Sequence, residues 1–247
     1  MCFRRPCPCR RVSGRDLAWE GCVNVRDLGG LPTADGRTVR FGAIVRSDHL
    51  NRLTAAGWRA LWDHGVRTIV DLRDPDERQP DISPRPPGLA TSEIPLEDLS
   101  DTAFWQEWRR FCCTPLYYQA FLDRAPDRVA AVVRAVADAE PGGVVVHCGH
   151  GRDRTGLVTL VLLSLAGVSP REIAADHALS AERLRPLLAQ LGRADEEIAA
   201  QRHLRVAGLS ADAAVVAALA DFDAEAYLLT AGLSSDQIAR LRDRLLG

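Results

Sequence analysis

The stretch from Gly143 to Leu163 constrains the fold more than any other part of the chain. An apolar run, Gly143-Val144-Val145-Val146, leads into His147-Cys148-Gly149-His150-Gly151-Arg152-Asp153-Arg154-Thr155-Gly156, and a second apolar run follows from Leu157 to Leu163. The first run reads as a buried strand and the second as a buried helix. A cysteine therefore stands on a short glycine-containing loop between strand and helix, with an arginine six positions after it. Such a loop gathers backbone N–H groups at a helix N-terminus, where the helix dipole also favours negative charge. A phosphate dianion suits that nest. The same field stabilises a thiolate, so Cys148 is the expected nucleophile. The loop residues Gly149, His150, Gly151, Arg152, Asp153 and Arg154 are the expected phosphate binders. Arg154 supplies a planar fork for two oxygens.

The flanking pattern predicts an α/β fold with a mainly parallel central sheet between helices and a helix-rich C-terminal part. Val39–Val45 and Val66–Leu72 read as buried strands, and Leu89–Ile94 as a short one. Asp35-Gly36 is a candidate hairpin turn. Thr54 is positioned to cap a helix running to about His64, with Leu61 and Trp62 inward and Gly65 as its stop. Pro75 to Pro87 reads as a loop. Phe104, Trp105, Trp108 and Phe111 form an aromatic stripe at helical spacing, read first as core. Helices are expected near 115–123 and 126–139. Beyond the loop, Pro170 opens a helix, and others are expected near 180–190, 194–204, 210–229 and 234–246, the last capped by Ser234 to Gln237.

At 247 residues the chain can bury one full α/β core with a helical extension. We expect a flexible leader over 1–15 and a single domain over 16–247. The net charge of −2 gives no reason to expect a nucleic-acid partner. All 31 basic residues are arginine, which reads as a compositional bias of the source genome. The seven cysteines, Cys2, Cys7, Cys9, Cys22, Cys112, Cys113 and Cys148, are odd in number and poorly spaced for a disulfide framework or a metal site. The expected setting is a reducing cytoplasm, with no metal, no cofactor, no signal peptide and no integral membrane association. Oligomeric state is not legible.

The His-Cys-x5-Arg-Thr loop resembles that of the bacterial cysteine-dependent tyrosine and dual-specificity phosphatases, whose loop reads His-Cys-x-x-Gly-Lys-Asp-Arg-Thr-Gly. Further stretches are similar: Asn24–Gly30, Arg46-Ser47, Asp71–Arg73 and Tyr227–Ser234. The resemblance spans about residues 19–247. It implies a phosphomonoester hydrolase acting on phosphotyrosine through a phosphocysteine, with phosphorylated proteins or phosphoinositides as partners. Cys148 would attack phosphorus, Arg154 and the loop amides would hold the equatorial oxygens, and Thr155 would donate to the departing thiolate. His147 would orient the loop. Asp153 is the favoured general acid and Asp98, after the Ile94-Pro95 strand end, the alternative. Arg152 stands where relatives carry Lys, linked there to extra phosphates. Arg26, Arg46 and Arg73 read as structural partners of Asp27, Asp48 and Asp71 before they read as rim residues. A rhodanese-like sulfurtransferase and a catalytically dead phosphate-binding module are the alternative readings.

Overall fold

The computed structural model describes residues 14–247; the leader cysteines Cys2, Cys7 and Cys9, and most of the expected leader, lie outside these described residues. Five strands make one sheet: β1 (Arg26–Asp27), β2 (Ile44–Ser47), β3 (Val66–Asp71), β4 (Ala90–Glu93) and β5 (Gly143–His147). Their spatial order is β1-β2-β5-β3-β4. Only β1–β2 is antiparallel. The helices are α1 (Ala55–Asp63), α2 (Thr102–Trp108), α3 (Tyr118–Arg124), α4 (Pro126–Ala137), α5 (Asp153–Leu165), α6 (Pro170–Gln190), α7 (Ala194–Val206), α8 (Ala211–Ala218), α9 (Ala224–Thr230) and α10 (Ser235–Leu246).

The all-apolar run of β5 puts it in the middle of the sheet, since every residue of it is buried. The polar β4 takes the edge. Register places Val145 opposite both Val45 and Ile69. These three pack with Trp58 and Leu61 of α1 on one face. Ile44, Val70, Val144 and Val146 face the other way, onto α4 and α5, with α9 and α10 packed on those helices in the same core. Past its first turn helix α5 is apolar but for Thr159 and Ser164, as suits a helix buried almost all round. Parallel strands point their C-terminal ends the same way, so the loops after β2, β3, β4 and β5 gather at one edge. Ligand crevices of open α/β sheets lie there.

Several boundaries differ from the sequence reading. The expected strand over 39–45 begins only at Ile44, because a turn through Gly42 (φ +73°) precedes it. Thr54 does cap α1, accepting from the Gly57 amide at 3.2 Å. Trp58, not Trp62, fills the core beside Leu61; Trp62 lies under the Arg67 guanidinium at 3.7 Å. The helix opened by Pro170 runs on unbroken to Gln190 through Pro186. The expected helix over 210–229 is two helices, interrupted where Asp221 takes a left-handed φ of +58°. Ser234 and Gln237 form the expected reciprocal cap of α10. Phe104 and Trp105 are buried, with Trp108 and Phe111 packed against the same core. Among the described residues no helix is long and apolar enough to cross a membrane, the cysteines are unpaired, and no cluster fit for a metal ion is found.

Candidate active site

A cavity of about 440 Å³ opens at the C-terminal edge of the sheet, and Cys148, Gly149, His150, Asp153 and Arg154 line it. A larger cavity, about 620 Å³, is lined by Arg15, Leu17, Leu31, Asp176 and neighbours but holds no cysteine, serine, threonine or histidine. Of the two, only the smaller brings cysteine and histidine side chains together. Cys148 leaves β5 with only 2% of its surface exposed.

The loop's shape follows from where its carbonyls go. The Gly149 carbonyl accepts from the His49 amide at 3.2 Å. Asn24 Nδ2 donates to the carbonyls of His150 (2.9 Å) and Gly151 (3.2 Å). Arg46 donates to the Gly151 carbonyl at 2.8 Å. Tyr118 donates its hydroxyl to the Asp153 carbonyl at 3.0 Å. With the carbonyls drawn into the protein, the N–H groups are left for the cavity. None of the amides from Gly149 to Arg154 donates to another described residue. Those are the unpaired donors that a helix start leaves for an anion. Gly151 is required at its position: φ is +64°, and a Cβ there would lie 2.3 Å from the Ser47 carbonyl oxygen.

Arg154, on the first turn of α5, reaches back over the loop. Its guanidinium meets both oxygens of Glu77, one at 2.6 Å, and its Nε lies 3.7 Å from Glu97. The Asp74 amide fixes the Glu77 carboxylate at 3.0 Å. Burial works against the Arg154 charge, but the Glu77 hydrogen bond and the nearby Cys148, Glu97 and Glu77 charges hold its pKa above the ordinary value. Burial and then Arg73 push His147 down to about 4, against the pull of Asp71, so the ring is neutral at neutral pH. Its Nε2 stands 3.7 Å from Asp71 and its Nδ1 3.4 Å from the Cys148 carbonyl. Thr155 is fully buried and its hydroxyl has no hydrogen-bond partner.

Behind the loop, Asp176 of α6 binds three arginines. Arg26 reaches it at 3.0 Å, Arg46 at 2.8 Å, and Arg15 also bonds it. Burial penalises this carboxylate, yet Arg26, Arg46 and Arg15 hold it well below the usual range. Arg26 and Arg46 are thus structural, as expected, but their partner is Asp176 rather than Asp27 or Asp48. Asp27 instead accepts from the Gly29 and Gly42 amides and contacts His64. Asp48 accepts from the Asn24 amide and Arg52. Arg73 pairs with Asp71 at 2.7 Å, as expected, and also lines the cavity.

Asp98 is not brought to the cavity. It is 43% exposed, bonded to Ser100 and paired with Arg128 at 3.0 Å. Its neighbour Glu97 turns inward instead and lines the wall. Arg152 pairs with Glu197 of α7 at 2.9 Å and with Asp153 at 3.5 Å; its own side chain is absent from the cavity lining. Sequence reasoning missed Glu77, Glu97, Cys112, Cys113 and Tyr117 as wall residues, along with the distal Leu187, Leu191 and Arg193.

The chain matches the model of the tyrosine phosphatase family over residues 17–247. It is 32% identical over 179 residues to a Cupriavidus necator protein described provisionally as a tyrosine-protein phosphatase, covering 70% of this chain and 66% of the relative. It is 32% identical over 157 residues to a tyrosine-protein phosphatase of Nostoc commune, covering 62% of this chain and 53% of the relative. It is 28% identical over 282 aligned positions to the triple specificity protein phosphatase PtpB of Mycobacterium tuberculosis, covering 92% and 98%. The chain thus spans about two thirds of the first relative and half of the second. With the match running from beside β1 through α10, and the cysteine loop at its centre, the chain belongs to the tyrosine phosphatase family.

Proposed function

We propose that the protein is a phosphomonoester hydrolase acting on phosphotyrosine, with phosphoserine, phosphothreonine and phosphoinositide head groups as further substrates. The observation that carries this is the sharing of one cavity by Cys148, Arg154 and a loop whose amides have no partner in the protein. Family membership supports it over the sulfurtransferase and over a dead binding module, and the relative named for triple specificity supports a broad substrate range. Residues 16–247 are taken as one catalytic unit.

In the first step the Cys148 sulfur attacks phosphorus in line, the S–P bond forms and the bond to the leaving oxygen breaks. Arg154 and the loop amides bear the charge on the three equatorial oxygens. The leaving oxygen takes a proton from a carboxylic acid of the cavity wall, on which both Asp153 of the loop and Glu97 stand. In the second step water attacks phosphorus, its proton passes to that carboxylate, and the S–P bond breaks. The unpartnered Thr155 hydroxyl is available to the returning thiolate. The test is a hydrolysis panel of phosphotyrosine, phosphoserine and phosphoinositide substrates with Cys148→Ser as the blank. Turnover by the wild type and none by the blank is expected. Aryl phosphate hydrolysis by Cys148→Ser would refute the mechanism.

A further inference from the structure

The loop after β4 is pinned on both sides of Glu97. Leu96 is buried and its amide donates to the Leu72 carbonyl at 3.2 Å. Arg128 donates to the carbonyls of Pro95 (3.3 Å) and Glu97 (3.2 Å). Trp105 Nε1 donates to the Asp98 carbonyl at 2.7 Å. With Leu96 held in the core and Asp98 held outward by Arg128, the side chain between them can only face the cavity. Glu97 is 15% exposed, and its carboxylate accepts no hydrogen bond from a described residue.

Three carboxylates flank one guanidinium here. Asp74 lies 3.8 Å from Arg154, Glu77 bonds it twice, and Glu97 lies 3.7 Å from its Nε, while Asp153 of the same cavity wall lies 3.5 Å from Arg152. Glu77 already holds the fork, which leaves Glu97 in contact with the Nε edge of the guanidinium alone, without a hydrogen bond. Cys112 and Tyr117 also face it, and both stay neutral because burial pushes their pKa values up. A phosphate dianion entering such a wall adds two negative charges beside Glu97. Like charges crowded into a poorly solvated site favour the protonated acid. The dianion is therefore best accommodated with a proton on Glu97.

Resting on the phosphatase reading, we propose that Glu97 is the wall residue that carries the proton to the leaving oxygen and takes it back from the attacking water. In the free protein, burial together with Asp153, Glu77 and Asp74 raises Glu97 to about 7, against Arg154. A proton carrier is most useful when its pKa lies near the working pH.

The experiment compares Glu97→Gln, Asp153→Asn and Asp98→Asn on aryl phosphates of graded leaving-group acidity. Glu97→Gln should lose about 100-fold in kcat on phosphotyrosine, whose leaving group needs a proton, and only a few-fold on an activated nitrophenyl ester. The retained rate on the activated ester shows the variant is folded. Glu97→Gln should also lose the fall in kcat/KM as pH rises through about 7, and Asp98→Asn should match the wild type. Asp153→Asn should move that fall to lower pH. An equal loss of Glu97→Gln on every ester, no loss at all, or a leaving-group-dependent loss confined to Asp153→Asn would each overturn the assignment. Failure of the phosphatase reading shows separately, as the absence of hydrolysis of every ester by the wild type.

Discussion

Replacing Asp176 by Asn tests whether a charge behind the loop holds the loop in place. The change keeps shape and removes one negative charge from a cluster that also contains Arg15, Arg26 and Arg46. The Asp176 side chain is 1% exposed, and those of Arg26 and Arg46 are 0% and 1% exposed. Breaking a buried pair by removing one member costs about 3–5 kcal/mol, and three cations left without a counter-ion argue for the upper end. For a chain of this size about 5 kcal/mol corresponds to a fall in Tm of roughly 10–20 °C. The effect should reach the cavity, because the same Arg46 guanidinium donates to the Gly151 carbonyl. Once Arg46 loses Asp176, that tether loosens and the amides on the other side of the loop lose their aim. A misaimed set of oxyanion donors costs about 100-fold or more in kcat. Calorimetry and steady-state kinetics below the variant's own Tm read the two effects apart. A Tm within 2–3 °C of wild type, with unchanged kcat/KM, would refute the argument that this cluster is both charged and coupled to the loop.

Gly151→Ala places a methyl group against the Ser47 carbonyl at a left-handed φ, so it should destabilise by more than about 1–3 kcal/mol and abolish turnover; denaturant unfolding beside a hydrolysis assay checks it. His177 should make the fold acid-sensitive. Burial, with Arg46, Arg152 and Arg26, lowers its pKa to about 3. The unfolded chain then binds more protons than the folded one between about pH 6.5 and 3, so stability falls as pH drops through that window and is flat above it. His177→Gln should flatten part of that slope in urea titrations at pH 7 and pH 5; an unchanged slope would assign the effect elsewhere.

Where the sequence spoke clearly, a local rule was enough. The apolar run of β5, the Thr54 and Ser234 caps and the cysteine loop all depend on neighbours within a few positions. The misses are of another kind. Arg26 and Arg46 find their counter-ion on α6, far along the chain; Asp27 and Asp48, closest in sequence, are consumed by backbone amides. Which of Glu97 and Asp98 turns inward depends on Leu96 and Arg128 fixing an irregular loop, and such a loop carries no periodicity to read. The break between α8 and α9 falls at Asp221, where no glycine or proline announces it. Cys112, Cys113 and Tyr117 reach the cavity wall only because the chain between α2 and α3 folds across it.

The Glu77–Arg154 pair makes ligand capture an exchange of anions. The guanidinium is never solvated alone in the resting protein, because a carboxylate anchored by the Asp74 amide already spans its fork. An arriving phosphate must dislodge that resident group, so the free energy of binding is a difference between two charge-assisted contacts. Small or singly charged anions have little to gain from the swap. A dianion with three oxygens to offer the waiting amides gains the most, and the pocket can thereby discriminate among anions before any bond is made or broken.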